Sequence, residues 1–425
     1  MLMTNNNINI FKRLITCAIT GIFSALIITL FKSAADLVID SSYELYDFLS
    51  KHFILIIPFI VLLYFAALLL ARIYKKHPHI KGGGIPASVA AAKGFENIKW
   101  LSGLIGSFVL PLFSFFVGVP LGTEGPSVQM GACVGGAVSK LFCKQEDKQA
   151  IGAGAASGFG VATCTPVAAV AFAFEEIGIG FKIINVLPTL VSITFAYFTM
   201  HALSLLFGTS INLFEAIPHI TLALNDVWIP AAVGVCVGIF AVLFLRFYKV
   251  IFNFCNTILC KVKFQYKIFA VLALTVLLGV CSVSFVSTGH GLIDGLFEHT
   301  PAVIVLILIL LVRSVLSIGA NANGITGGMF LPTIALGAVF ALIIGIVFGL
   351  DQQYFSIIIM LGITSAIAGF MKMPIAAIIF TVEAFGCYVN ILHVLLAALT
   401  SFVIVKFSKT NTVVEYALKD KNSEK

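Results

Sequence analysis

The sequence predicts an all-α integral membrane protein built from two related halves, and three observations carry that prediction. The chain is 60% hydrophobic and 11% charged over 425 residues, too apolar for a soluble domain whose surface meets water. Apolar runs that approach or reach the roughly 20 residues of helix needed to cross a hydrocarbon core recur along it. Two signatures also appear in the same order in each half.

Residues 14–31, 53–71, 100–119, 228–245 and 303–318 are the clearest spans. Between residues 268 and 405 such runs follow one another almost without a polar interruption, which leaves no room for a separately folding soluble unit. The expected organisation is one membrane domain over residues 1–425, with internal repeats at about 14–207 and 226–407. Residues 408–425 read as a short cytoplasmic tail with too little apolar content to bury a core. At the start, the basic pair Lys12 and Arg13 precedes an apolar stretch that no small-residue cleavage site closes, so an uncleaved first helix is expected.

The net charge of +7 would suggest nucleic acid in a soluble protein. In this chain the Lys and Arg residues gather near span ends, at 72–81, 140–148, 246–267 and from Lys406 onward, which assigns those loops to the cytoplasm and sets nucleic acid aside as a partner. Loops holding Asp36, Asp40, Glu44 and Asp47, then Glu215 and Asp226, then Asp294 and Glu298 fit the opposite face, so both termini are expected in the cytoplasm. The nine cysteines are scattered without zinc-ligand or redox spacing and read as reduced packing residues; neither a metal nor a cofactor is expected.

The repeats can be counted. Pro126 is followed after five residues by Gly131-Ala132, and Pro332 after five by Gly337-Ala338. Further on, Pro166-Val-Ala-Ala-Val-Ala-Phe172-Ala-Phe-Glu175 matches Pro374-Ile-Ala-Ala-Ile-Ile-Phe380-Thr-Val-Glu383, with nine residues from proline to glutamate in both. A single such block would be unremarkable, since Gly and Ala serve helix contact in membranes generally. Two blocks in the same order imply related halves, with a substrate site between them built from interrupted helices, as in a transporter or channel.

Glycine and proline punctuate the apolar sequence at Gly82-Gly-Gly-Ile-Pro86, Leu121-Gly-Thr-Glu-Gly-Pro126 and Thr326-Gly-Gly-Met-Phe-Leu-Pro332. Each resists continuous helix, and each is followed by a helix-compatible run in which proline suits the first turn. A helix that begins inside a low-dielectric region presents unpaired N–H groups and a partial positive charge, which favour an anion without the tight hold of a full charge. Glu124, at one such start, would compete with anions for the same amides; once protonated it would lose that attraction and release them. Its plainer role, as a cap on the helix that it begins, is compatible with this. Glu175 and Glu176 are adjacent and point to different helix faces, so one of the two is expected to face the interior; the recurrence of Glu175 as Glu383 suggests a structural role common to both halves, such as satisfying helix ends or neighbouring Arg and Lys.

The three strings GGGIP, GTEGP and GGMFLP, in this order, resemble the three ion-coordinating signatures of the CLC chloride channel and transporter family, and the similarity covers nearly the entire chain. The resemblance implies two inverted-topology halves with tilted and re-entrant helices, no appended regulatory domains, and a homodimer with a separate pore in each subunit, lodged in the lipid bilayer of a prokaryotic plasma (inner) membrane. It implies a gate at Glu124, and an anion held at Gly83, Gly84 and Ile85, by the backbone amides of Met329 and Phe330, and by the hydroxyl of Tyr388. Glu176 matches the glutamate that passes protons from the cytoplasm in proton-coupled members, so the expected activity is Cl⁻/H⁺ antiport rather than catalysis.

Two departures stand out. The first signature usually reads Gly-Ser-Gly-Ile-Pro, and Gly83 removes the serine hydroxyl; the second usually carries Arg or Lys before the glutamate, and Thr123 replaces it. Members that differ at the serine position include nitrate- and fluoride-preferring ones, although the fluoride branch does not usually keep a match to Tyr388, which leaves chloride as the first expectation. The alternatives are an uncoupled anion channel of the same fold and a fluoride- or nitrate-preferring variant. From another class, an intramembrane metalloenzyme would use His77 and His79 with Glu175 and Glu176, against which stands a spacing that cannot place both rings on one helix face.

Overall fold

The computed structural model describes residues 9–208, 213–214 and 221–423. Residues 1–8 of the opening run, Glu215 and the last two residues of the tail lie outside the described residues. The chain forms α1 (Ile10–Lys51), α2 (Ile56–Lys76), α3 (Ile85–Lys93), α4 (Trp100–Phe116), α5 (Glu124–Cys143), α6 (Lys148–Thr163), α7 (Pro166–Phe172) and α8 (Ile183–Phe207), then α9 (Trp228–Asn253), α10 (Phe264–Cys281), α11 (His290–Glu298), α12 (Val303–Ala322), α13 (Phe330–Val347), α14 (Phe355–Phe370), α15 (Pro374–Phe385), α16 (Ile391–Phe407) and α17 (Val413–Ser423). Among the described residues, nine helices are long and apolar enough to cross a membrane.

The two halves repeat their packing. α1 packs on α8 as α9 packs on α16, α5 on α6 as α13 on α14, and α6 on α8 as α14 on α16. The repeated glycines explain the tightest of these contacts. A Cβ on Gly131 would strike the Gly154 carbonyl across the α5–α6 contact, and one on Gly337 would lie 2.7 Å from the Gly362 carbonyl oxygen across α13–α14. Helix backbones can touch this closely only where no side chain intervenes. Between the halves, α7 meets α15.

Proline begins or nearly begins five of the helices, as its missing N–H allows: Pro166 and Pro374 open α7 and α15, and Pro86, Pro126 and Pro332 lie in the first turns of α3, α5 and α13. The interrupted segments at 117–123 and 323–329 are largely buried and that at 82–84 partly so, and each is followed by a helix N-terminus.

Two expectations change. Asp36, Asp40, Glu44 and Asp47 do not sit in a loop: they ride on the last turns of α1, a single helix of 42 residues and so about 63 Å long at 1.5 Å per residue. Asp294 and Glu298 likewise lie in α11. The tail is not a loose appendage either, for Thr412 and Glu415 form a capping box in which the Glu415 amide donates to Thr412 Oγ1 (3.1 Å) and the Thr412 amide to Glu415 Oε2 (2.8 Å). That cap starts α17, whose Val413, Val414, Tyr416 and Leu418 pack against the main core, while Glu415 also pairs with Lys372 at 2.8 Å.

Candidate functional site

The three interrupted segments meet. Gly122 and Gly328 exchange both backbone hydrogen bonds at 2.7 Å, an antiparallel bridge between the loop before α5 and the loop before α13. The loop before α3 joins the same knot: the Gly82 amide donates to the Gly324 carbonyl (3.1 Å) and the Gly327 amide to the Gly82 carbonyl (3.3 Å). Tyr74, buried at the end of α2, locks this arrangement. Its hydroxyl accepts from the Thr326 amide at 3.1 Å and bonds the Thr326 hydroxyl at 2.8 Å, and Thr326 Oγ1 donates on to the Ile80 carbonyl at 3.1 Å. The mutual approach is so close that a Cβ on Gly125 would strike the Gly83 carbonyl and lie 2.8 Å from Gly328 Cα.

Glu124 stands where the first residues of α5 and α13 come together. Its side chain is 1% exposed, its carboxylate faces its own backbone amide and that of Leu331, and Oε2 has no hydrogen-bond partner. An isolated carboxylate is costly to bury, and the two helix N-termini supply the partial positive charge that offsets part of that cost. A mobile anion would find the same amides favourable.

On the other side of the knot a cavity of about 970 Å³ opens on the face that carries Lys81, Lys99 and Lys267. Gly83, Gly84, Ile85, Met329, Phe330 and Glu176 all line it. Six of the residues expected at the site are thus brought to one space, and Glu124 lies beside their shared backbone knot. Phe330 is buried in an aromatic cluster, edge-on to Phe159 (5.2 Å between centroids) and to Phe380 (5.5 Å), with Phe159 stacked on Phe172 at 4.3 Å.

Tyr388 is not brought there. Gly386 ends α15 in a left-handed conformation (φ 66°) and turns the chain outward, so that Tyr388 is 67% exposed at the start of the short turn leading to α16 and does not line the cavity. In its stead the cavity wall includes Tyr248 and Phe252 of α9, Asn321 and Asn323 at the end of α12, and Thr412, Val413, Val414 and Ala417 around the start of α17. None of these was marked by glycine, proline or charge in the sequence, which is why the reading missed them; the Thr412–Glu415 capping spacing was the available signal for α17.

The adjacent glutamates separate as expected. Glu176 lines the cavity, whereas the Glu175 carboxylate accepts from the amides of Ile375 (3.0 Å) and Ala376 (2.8 Å) at the start of α15. Glu383 accepts from the amides of Val167 (3.1 Å) and Ala168 (3.0 Å) at the start of α7. His79 bonds the Ser102 hydroxyl at 2.9 Å, and among the described residues no cluster of three or more His, Cys, Asp or Glu side chains is placed to hold a metal.

The chain is similar in sequence and in fold to known proteins. The H(+)/Cl(-) exchange transporter ClcA of Vibrio campbellii is 24% identical over 428 residues, covering 93% of this chain and 86% of that protein. In fold, the chain is similar to a slow cyanobacterial Cl⁻/H⁺ antiporter (TM-score 0.87, 19% identity, 97% of this chain and 99% of the other) and to a CLC-type fluoride/proton antiporter (TM-score 0.76, 20% identity, 94% and 96%). Residues 62–406, from within α2 to the last turn of α16 and including all three converging loops, match the family described as voltage gated chloride channel, and the chain belongs to that family.

Proposed function

We propose that the protein exchanges chloride for protons across a membrane, with Glu124 as the shared gate. The observation that carries this is the buried carboxylate of Glu124 at the joint N-terminus of α5 and α13, with one oxygen unbonded. Ionised, it occupies the amides as a tethered anion and closes the path. Protonated, it loses the attraction and swings away, so that an anion takes its place. Each cycle of anion passage then requires a proton to arrive or leave at one side chain, which is what couples the two fluxes.

The cavity is the cytoplasmic vestibule in this reading, given its lysines and the bias of basic residues toward that face. Chloride reaches the amides of Met329 and Phe330 through it, with the Gly83–Ile85 turn opposite. Glu176, on the wall of the same vestibule, takes up protons and passes them toward Glu124, which supports exchange over an uncoupled channel. The name of the Vibrio campbellii relative and its coverage of this chain support the same assignment. Both termini lie in the cytoplasm, the host membrane is a plasma membrane, and two copies associate with one path in each.

The test is purified protein in liposomes under a chloride gradient with valinomycin, recording external chloride and pH together. Opposed proton and chloride movement is the expected result. Chloride movement without protons would make the protein a channel, and movement of fluoride or nitrate in place of chloride would reassign the substrate.

A further inference from the structure

The vestibule wall carries a neutral side-chain donor, Asn321, that lies outside the sequence motifs and the three helix N-termini. Gly83 contributes no side chain, and a Cβ there would meet Nδ2 of Asn321 at 3.7 Å and the Gly327 carbonyl oxygen at 3.5 Å, both ordinary contact distances. Asn321 comes from the last turn of α12, and it lines the same vestibule as Gly83, Gly84, Met329 and Phe330. Its orientation is fixed by Tyr248 of α9, whose hydroxyl donates to Asn321 Oδ1 at 2.8 Å. With the oxygen engaged, the amide NH₂ is turned toward Gly83, and among the described residues it has no acceptor. An NH₂ group carries two donors and no charge, which suits a site that must hold an anion and let it go.

We infer that Asn321 donates a hydrogen bond to the transported anion at the vestibule end of the path and so sets its affinity, with Tyr248 as the residue that positions it. This inference rests on the proposed anion transport and adds to it a residue on a helix outside all three signatures. A conformational argument favours it over a purely structural role for Asn321. Oδ1 alone would serve to hold Tyr248, and the Gly83 site has room for a side chain at ordinary van der Waals distances, so nothing steric demands glycine there. Gly83 and Asn321 border the same cavity.

The experiment measures chloride binding to detergent-purified protein by isothermal titration calorimetry, with fluoride and nitrate titrated in parallel, for the native chain, Asn321→Ala, Gly83→Ser with Asn321→Ala, and Asn321→Asp. Loss of one hydrogen bond to an anion should weaken chloride binding about tenfold in Asn321→Ala. Adding Gly83→Ser places a hydroxyl in the same space and should restore affinity to within about threefold of native. Asn321→Asp keeps the shape and the acceptor for Tyr248 but turns a carboxylate oxygen toward the anion, and chloride binding should fall below detection at neutral pH. Native-like chloride affinity in Asn321→Ala or Asn321→Asp would overturn the inference and leave the transport reading standing; so would a loss in Asn321→Ala that Gly83→Ser fails to recover. A native chain that binds none of the three anions would refute the transport reading itself, and the inference with it.

Discussion

Glu175 and Glu383, repeat-related residues from opposite halves of the chain, each cap the helix that the other's half contributes: Glu175 holds the first amides of α15 and Glu383 those of α7. Glu383 lies near the C-terminal end of α15 and Glu175 in the π-helical turn Ala173–Ile177 that directly follows α7, so the two short helices are joined reciprocally. The exchange explains why the glutamate is repeated nine residues after each proline. Proline opens the helix, its neighbours' N–H groups stay unpaired, and the glutamate nine residues along the other copy reaches them.

Removing either carboxylate leaves two amides unpaired at a helix start in the membrane. Glu175→Ala and Glu383→Ala should each destabilise the protein by about 2–4 kcal/mol, as two charge-assisted hydrogen bonds imply. Unfolding in mixed detergent micelles measures this, and similar losses for the two variants are expected because the geometry is the same.

The glycine knot makes a contrasting pair. Gly125→Ala pushes a methyl group into the backbone of Gly83 and Gly328, neither of which can yield by rotating a side chain. It should separate the converging loops and abolish anion flux in liposomes, with a stability loss of about 1–3 kcal/mol from overpacking. Gly83→Ala meets its neighbours at ordinary contact distances and should leave stability within about 0.5 kcal/mol of native.

α17 depends on its cap. Glu415→Ala removes the capping box and the contact to Lys372, which is partly exposed and therefore adds little. The cap itself contributes about 1 kcal/mol. Amide exchange over residues 413–423 should accelerate about fivefold while exchange in α5 and α13 is unchanged; equal acceleration everywhere would mean that α17 is structurally continuous with the core.

Glu176→Gln removes the proposed proton acceptor from the vestibule wall without touching the converging loops. Proton flux should fall below detection while chloride continues to move at a rate within about tenfold of native. Retained coupling would move the proton route to another side chain.

The sequence carried the motif-bearing parts of this arrangement because those parts are dictated by backbone physics. Unpaired amides, positive φ and close helix approach leave glycine and proline behind as visible marks, and three such marks located the converging loops, Glu124 and the Met329–Phe330 start of α13. Asn321, Tyr248 and Tyr74 leave no such mark, because a polar side chain in an apolar helix reads alike whether it faces a neighbour or a cavity. Tyr388 was expected at the site from the family resemblance, and the outward turn at Gly386 carries it to the surface. α17 was judged by its polarity, whereas its register puts Val413 and Val414 toward the vestibule and leaves the charged residues beyond them.

The measurement that bears most directly on the gate is simultaneous chloride and proton flux by Glu124→Gln in liposomes, with the native protein alongside. Glutamine keeps the shape of the protonated side chain and cannot release a proton, so chloride should move without any accompanying proton movement and at a rate independent of pH. Proton transport that still runs against the chloride gradient in this variant would contradict the assignment of Glu124 as the group through which the two fluxes are coupled.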